Sequence, residues 1–403
     1  MGGEIVDFGA FEYSNTFRRF EAKKVGIGSE VVIVSSPTPS QDKTYCMKFP
    51  EDKLNNTWQS FITWSDSNDI TFGCYVYFDR LPPDEDNIDF VQIINSTPSN
   101  ICGLSVRRTD ASNHYLTILD ATNSEVGSTA NPFTVNTWHR VEFTFQRADP
   151  SDVVVHVDGV EVLNESGVDC TDAVGGDLRV YLRGQQGPGD PLEFPTVTYI
   201  SSYYLKTGGT GGASDFIGDW EVYRYDVNKT GATPDTGDDL DGGAWTDLSD
   251  DSDTAEAQYN AGHSGYCLTN DSPNDGPSGD LTVQNDLLAG KWTWSLNGTT
   301  TSGDTWVRYG YSNGSTDIIT TETTTATRTF NPWNIVHDRY KASNNRCPKI
   351  TDWFCIGFKH NGGSGSVYTK EAFCFAMYQA PIVTDSTTTI HIKGGDIKGA
   401  TIV

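Results

Sequence analysis

Residues able to do chemistry are thinly spread along this chain. Glu142 and Glu161 stand in runs that alternate with apolar residues, Val141-Glu142-Phe143 and Val160-Glu161-Val162. On a strand that period places a carboxylate on the face away from the apolar side chains, so both are expected to be solvated rather than paired for acid–base work. Gly262-His263-Ser264-Gly265-Tyr266 and Gly362-Gly363-Ser364-Gly365-Ser366 approach the Gly-x-Ser-x-Gly elbow. Each lacks the final glycine, and no strand-to-helix turn follows, so neither serine is set up as a nucleophile. No catalytic residue is assigned, and a non-enzyme is expected.

Binding chemistry has more candidates. From Asp235 to Asp253 the chain is rich in aspartate, with Asp238, Asp239 and Asp241 closest together. Clustered carboxylate oxygens on a flexible loop suit Ca²⁺, although the order of an EF-hand loop is missing and a solvated acidic linker is the plainer reading. Trp58, Trp64, Tyr203 and Tyr204 are candidates for stacking on sugar rings, against the plainer role of core or rim packing. The eight cysteines contain no Cys-x-x-Cys pair. They read first as buried thiols, then as disulfides, and last as metal ligands. No other cofactor is expected.

The elements that must position these residues are strands. Helical periodicity is almost absent, whereas alternation recurs: Ile70, Phe72, Cys74, Val76 and Phe78 share one face, and Val141, Phe143 and Phe145 share another. Asp158-Gly159 separates Val153–Val157 from Val160–Leu163, a strong hairpin signal. Further strands are expected over Tyr45–Phe49, Phe90–Ile94, Leu104–Arg107, Tyr115–Leu119, Leu178–Leu182, Val197–Leu205 and Trp220–Tyr225. Beyond the Gly/Asp-rich stretch, Trp292–Trp294, Trp306–Tyr311, Trp353–Phe358 and Ala372–Tyr378 continue the pattern. The fold class is therefore all-β. The expected division is a first domain over 1–228, an acidic linker over 229–256, a second β-sandwich over 257–384 and a β-prone tail over 385–403.

The segment Asn136-Thr137-Trp138-His139-Arg140-Val141-Glu142-Phe143, followed by Val153–Val157 and Asp158-Gly159, resembles the concanavalin-A-like, laminin-G-like jelly-roll family. Ile217-Gly218-Asp219-Trp220-Glu221-Val222-Tyr223 is similar to that family's closing strand, which extends the resemblance over roughly residues 10–228. The resemblance implies a jelly-roll sandwich with His139 in a structural position. It does not imply one activity, because the fold hosts lectins, adhesion modules, degrading enzymes and viral coat modules. The Glu-x-Asp-x-x-Glu strand of the family's hydrolase branch is missing. In style, the tandem Asn/Thr/Gly-rich β modules resemble tailed-bacteriophage virion surface proteins.

Composition narrows the partners. With 54 acidic against 28 basic residues the net charge is −26, a field that disfavours nucleic acid and anionic membrane surfaces. No run is long and apolar enough to span a bilayer, and the first residues do not read as a signal peptide. The expected role is a virion surface protein, a capsid decoration or fibre protein, made in the host cytoplasm and contacting coat proteins and copies of itself. The alternative is a lectin-like receptor-binding protein for a cell-surface polysaccharide, and a polysaccharide lyase or hydrolase comes last. Ile390, Ile392, Lys393, Ile397 and Lys398 in the tail are the expected assembly contacts, since an unpartnered β-prone strand gains stability by pairing with a neighbour's sheet edge.

Overall fold

The computed structural model describes residues 4–10, 22–25, 32–37, 46–49, 57–64, 69–82, 87–95, 99–110, 113–172, 178–186 and 197–226, and strand segments between 257 and 379. Strands form wherever the sequence alternates. In chain order they are β1 (Glu4–Ala10), β2 (Ala22–Val25), β3 (Val32–Val34), β4 (Cys46–Phe49), β5 (Thr57–Trp64), β6 (Asp69–Phe78), β7 (Asn87–Asn95), β8 (Asn100–Asp110), β9 (Asn113–Leu119), β10 (Glu125–Ala130), β11 (Trp138–Gln146), β12 (Ser151–Val157), β13 (Val160–Val168), β14 (Leu178–Gln186) and β15 (Thr198–Thr207). They build two antiparallel sheets. The first has the order β13-β12-β11-β6-β15-β4-β3, with β1 also on β15, and the second has the order β10-β9-β8-β7-β14-β5-β2.

The sheets face each other as a jelly-roll sandwich whose core draws on both. Phe72, Val76, Val141, Phe143, Phe145, Val153 and Val155 come from the first sheet, and Ile88, Phe90, Leu104, Val106, Leu116, Ile118, Val180 and Leu182 from the second. Phe78 bridges them, lying 5.6 Å edge-on from the Phe90 ring. No α-helix occurs among the described residues, where the single helical element is the 3-10 turn Ala213–Asp215.

Local chemistry fixes the hairpin at Asp158-Gly159. Both residues have positive φ, 52° and 81°, the pair a tight type I′ connection requires, and Val157 pairs with Val160 across it. The Asp158 carboxylate accepts from His139 Nδ1 at 2.7 Å and from the Arg140 amide at 2.9 Å. His139 Nε2 in turn lies 2.9 Å from the Thr134 amide and 3.2 Å from the Thr134 carbonyl oxygen. His139 therefore holds a turn, the structural position that the resemblance implies. Partial burial pushes the Asp158 carboxyl up, but the bonds from His139 and Arg140 and their charges outweigh it, and the group titrates below its ordinary value.

Two expectations need correction. Glu142 is not solvated: its exposure is 1%. Residues 208–220 cross the outer face of the first sheet, and the amides of Ile217 and Gly218 donate to Glu142 Oε1 at 3.1 and 3.2 Å. Tyr203 faces the core and Tyr204 lies under the same cover, so at 2% and 0% exposure neither presents a ring to solvent. Tyr203 stacks on Phe72 in the core, while Tyr204 meets Trp220 edge-on at 4.7 Å. Glu161 is exposed, as its alternation implies.

The strand β16 (Trp220–Asp226), similar in sequence to a closing strand, closes neither sheet. It pairs instead with a strand far along the chain. The later strands are β17 (Ala257–Asn260), β18 (Ser264–Leu268), β19 (Leu287–Gly298), β20 (Asp304–Ser312), β21 (Ile318–Thr325), β22 (Trp333–Asp338), β23 (Trp353–Asn361) and β24 (Ser366–Gln379). They form a third sheet, β16-β24-β19-β22 with β17 on β24, and a fourth, β18-β23-β20-β21. The register of β16 on β24 runs from Trp220 opposite Gln379 to Asp226 opposite Phe373. The linker expected over 229–256 and the tail over 385–403 lie outside the described residues.

Candidate functional site

With the inner faces of both sheets in the core and the first sheet's outer face under residues 208–220, the outer face of the second sheet is where polar side chains gather. Alternation decides which. On β8, Leu104 and Val106 point inward, leaving Ser105 and Arg107 outward; on β9, Leu116 and Ile118 point inward, leaving Tyr115 and Thr117 outward. Antiparallel register then lines these residues up across strands. One row reads Asp89, Ser105, Thr117, Ser128, and the next reads Asn87, Arg107, Tyr115, Ala130. A third row sets Tyr181 opposite Gln92 and Gln92 opposite Gly103. Gln92 lies over Gly103, where a Cβ would stand 2.8 Å from Gln92 Cγ.

At the β8–β10 end the face dips into a cavity of about 240 Å³ lined by Arg107, Tyr115, Thr117, Glu125, Gly127 and Ser128. Arg107 and Glu125 form an ion pair across it. Thr117 is 2% exposed and its hydroxyl has no hydrogen-bond partner. The arrangement combines a phenol ring, a guanidinium donor, a carboxylate acceptor and two hydroxyls in one open concavity. That set suits a neutral, hydroxyl-rich ligand with one flat apolar face.

Gly127 shapes the floor. It sits at a register break between Val126 and Ser128 with φ 64°, and a Cβ there would stand 2.1 Å from Glu165 Cγ of β13. Gly127→Ala is expected to destabilise the sandwich by about 1–2 kcal/mol from the left-handed backbone alone, with further loss as Glu165 is displaced. A thermal melt checks this, and an unchanged midpoint would show that the β9–β10 bulge can be rebuilt without glycine.

The residues chosen from the sequence are not those the fold brings together. Tyr203 and Tyr204 are buried in the first sheet, as described above. Trp58 and Trp64 lie on β5, opposite Leu182 and Leu178 of β14, away from the cavity's strands. Asp238, Asp239 and Asp241 lie outside the described residues, as do Ile390, Ile392, Lys393, Ile397 and Lys398. Among the described residues no three His, Cys, Asp or Glu side chains are grouped to hold a metal ion.

No protein-family model and no curated protein matches the chain. Solved structures do. An endo-β-1,4-glucuronan lyase from the fungus Trichoderma reesei is 13% identical with a TM-score of 0.37, over 51% of this chain and 96% of that one. The cellulose-induced protein Cip1 is 8% identical with a TM-score of 0.37, over 51% of this chain and all (100%) of the other. The alginate lyase vAL-1 from Chlorella virus is 11% identical with a TM-score of 0.35, over 47% and 93% of the two chains. The presence of polysaccharide lyases among them overturns the expectation that the chain is no enzyme. At these identities and TM-scores the likeness carries no argument for any one activity.

Proposed function

We propose that the outer face of the second sheet is a carbohydrate-recognition surface centred on Arg107, Tyr115, Thr117, Glu125 and Ser128. The observation that carries this reading is the polar cavity itself, which brings together a tyrosine ring, an Arg–Glu pair and the Ser128 side chain. The guanidinium and carboxylate direct the hydroxyls of a sugar, and Tyr115 receives the apolar face of its ring. Ser105, Gln92 and Tyr181 on the neighbouring strands are buried, so the proposed surface is confined to the β8–β10 end.

This reading takes up the cell-surface polysaccharide expected from the sequence as an alternative. It stands ahead of the capsid-decoration role, whose contact residues in the tail lie outside the described residues. Among the described residues, no helix is long and apolar enough to cross a membrane.

The test is affinity electrophoresis of the full chain through gels containing a panel of soluble polysaccharides, followed by titration calorimetry on those that retard it. Removing a hydrogen bond to a charged group costs about 1.5–3 kcal/mol, so Arg107→Ala is expected to weaken binding about tenfold to a hundredfold. Tyr115→Ala should weaken it as well, and both variants should keep the wild-type melting midpoint within a few degrees. Binding unaffected by both substitutions would remove the site, and no retardation by any polysaccharide would remove the function.

A further inference from the structure

The buried ion pairs of the described residues include Arg140–Glu142, Arg147–Asp172 and Lys206–Asp215. The first two hold a guanidinium, which stays charged and offers no free nitrogen lone pair. The third holds an amine, which becomes a nucleophile once it gives up a proton. Leu205 of β15 points into the core, so Lys206 stands on the outer face of that strand. Asp215 ends the 3-10 turn Ala213–Asp215 in the segment that crosses the same face.

The pair is enclosed and fixed. Its side chains are 5% and 3% exposed, with Lys206 Nζ 3.7 Å from Asp215 Oδ1. Nζ also donates to the main-chain oxygen of Asp215 at 2.7 Å, which holds the amine beside the carboxylate. The other carboxylate oxygen, Oδ2, accepts from the amides of Thr210 and Gly211 at 2.7 and 2.8 Å, and from the Thr210 hydroxyl at 3.3 Å. Gly209 leaves room for this, since a Cβ there would stand 2.5 Å from both carboxylate oxygens. One oxygen therefore faces an amine while the other sits between two N–H donors. Donors placed in that way stabilise negative charge as it develops on a carbonyl oxygen under attack.

We propose that Lys206 and Asp215 condense into an intramolecular isopeptide bond that joins the segment over the first sheet to β15. The ammonium passes one proton to Asp215 Oδ1, leaving a neutral amine beside a carboxylic acid. The Nζ lone pair then attacks Cγ, forming the N–C bond while the carbonyl electrons move onto Oδ2 between the Thr210 and Gly211 amides. As the C=O bond re-forms, the C–Oδ1 bond breaks, and Oδ1 leaves as water with a second proton from the nitrogen. No oxidant or cofactor enters the balance. Both reactants belong to one chain and are held in place, so the step carries no cost of encounter. The product is a neutral amide in place of two buried charges, whose desolvation is costly. Arg140–Glu142 and Arg147–Asp172 are equally enclosed and remain ion pairs, because a guanidinium has no such route.

Mass spectrometry of the purified full chain tests the bond. The intact protein is expected to be lighter than its sequence by one water. Trypsin then reads the place, because Lys206 is the only Lys or Arg between Arg183 and Arg224, and trypsin does not cut after a lysine whose nitrogen is an amide. Digestion under denaturing conditions should give residues 184–224 as one peptide short of one water, in place of 184–206 and 207–224. Lys206→Arg and Asp215→Ala should each restore the full mass and cleavage after position 206. Full mass with cleavage after Lys206 in the unsubstituted chain would overturn the proposal, as would a missing water that maps elsewhere, such as a succinimide at Asp158-Gly159. The unsubstituted chain decides this even if a variant fails to fold.

Discussion

Phe143→Ala is expected to destabilise the sandwich by about 3–5 kcal/mol, the usual cost of truncating a fully buried aromatic ring. Phe143 has 0% exposure, sits in mid-strand on β11, and lies 5.9 Å from the Phe72 ring and 6.0 Å from the Phe145 ring. It is paired in register with Phe72 on one side and Val155 on the other. Its neighbours belong to strands that hydrogen bonds hold in place, so they have little freedom to collapse into the space, and the cavity term adds to the lost transfer energy. Domains have roughly 5–15 kcal/mol of stability in total, so the substitution removes a large share. Chemical denaturation followed by tryptophan fluorescence measures it. A loss below about 1 kcal/mol would mean that the β6–β11–β12 layer is not the core.

The phase of that strand was legible because it is local. Val141, Phe143 and Phe145 alternate with polar neighbours, and a strand turns such a list into a face without reference to the rest of the fold. The Asp158-Gly159 turn was legible for the same reason, since both of its left-handed residues are named in the sequence. Pairing is another matter. Arg107 and Tyr115 lie on segments whose alternation marks them as outward, yet only the register of β8 on β9 makes them opposite partners, and Glu125 joins them through an ion pair from the edge strand β10. Nothing local carries that arrangement, so the cavity was missed.

Tyr203 and Tyr204 show a second limit. Adjacent residues on a strand face opposite ways, so one tyrosine was bound to enter the core. The other lies on the outer face and would be exposed in an isolated sheet. What covers it is a segment with no strand pattern of its own, residues 208–219, followed by Trp220. A loop that lies down on a sheet leaves almost no trace in periodicity. The misplacement of β16 has a related cause: alternation identifies a strand but not its partner, and the partner here is β24, more than a hundred residues away.

The same cover makes Glu142 the most consequential polar residue of the first sheet. Its Oε1 accepts from Tyr204 Oη at 2.6 Å and from the amides of Ile217 and Gly218, and its Oε2 lies 3.5 Å from Arg140 Nε. Arg140 is also paired with Asp219. Glu142→Ala removes the shared acceptor and leaves a phenol, two amides and part of a guanidinium buried without it. Breaking a buried pair in this way costs about 3–5 kcal/mol. Glu142→Gln keeps an oxygen where three donors converge and is expected to cost far less. The two variants also separate shape from charge. Burial pushes the Glu142 carboxyl above its ordinary value, against the opposing pull of the Tyr204 bond, the Arg140 charge and the two amides. A folded-state pKa above the unfolded one means that the carboxyl's contribution is complete below the unfolded value and is lost as pH rises through the folded value. Glutamine does not titrate, and Asp158 and Asp219 are common to both proteins. The melting midpoint of Glu142→Gln should therefore gain on the wild type between pH 4 and pH 7. A difference that moves the other way would show that Arg140 and the three donors hold Glu142 ionised against the cost of its burial.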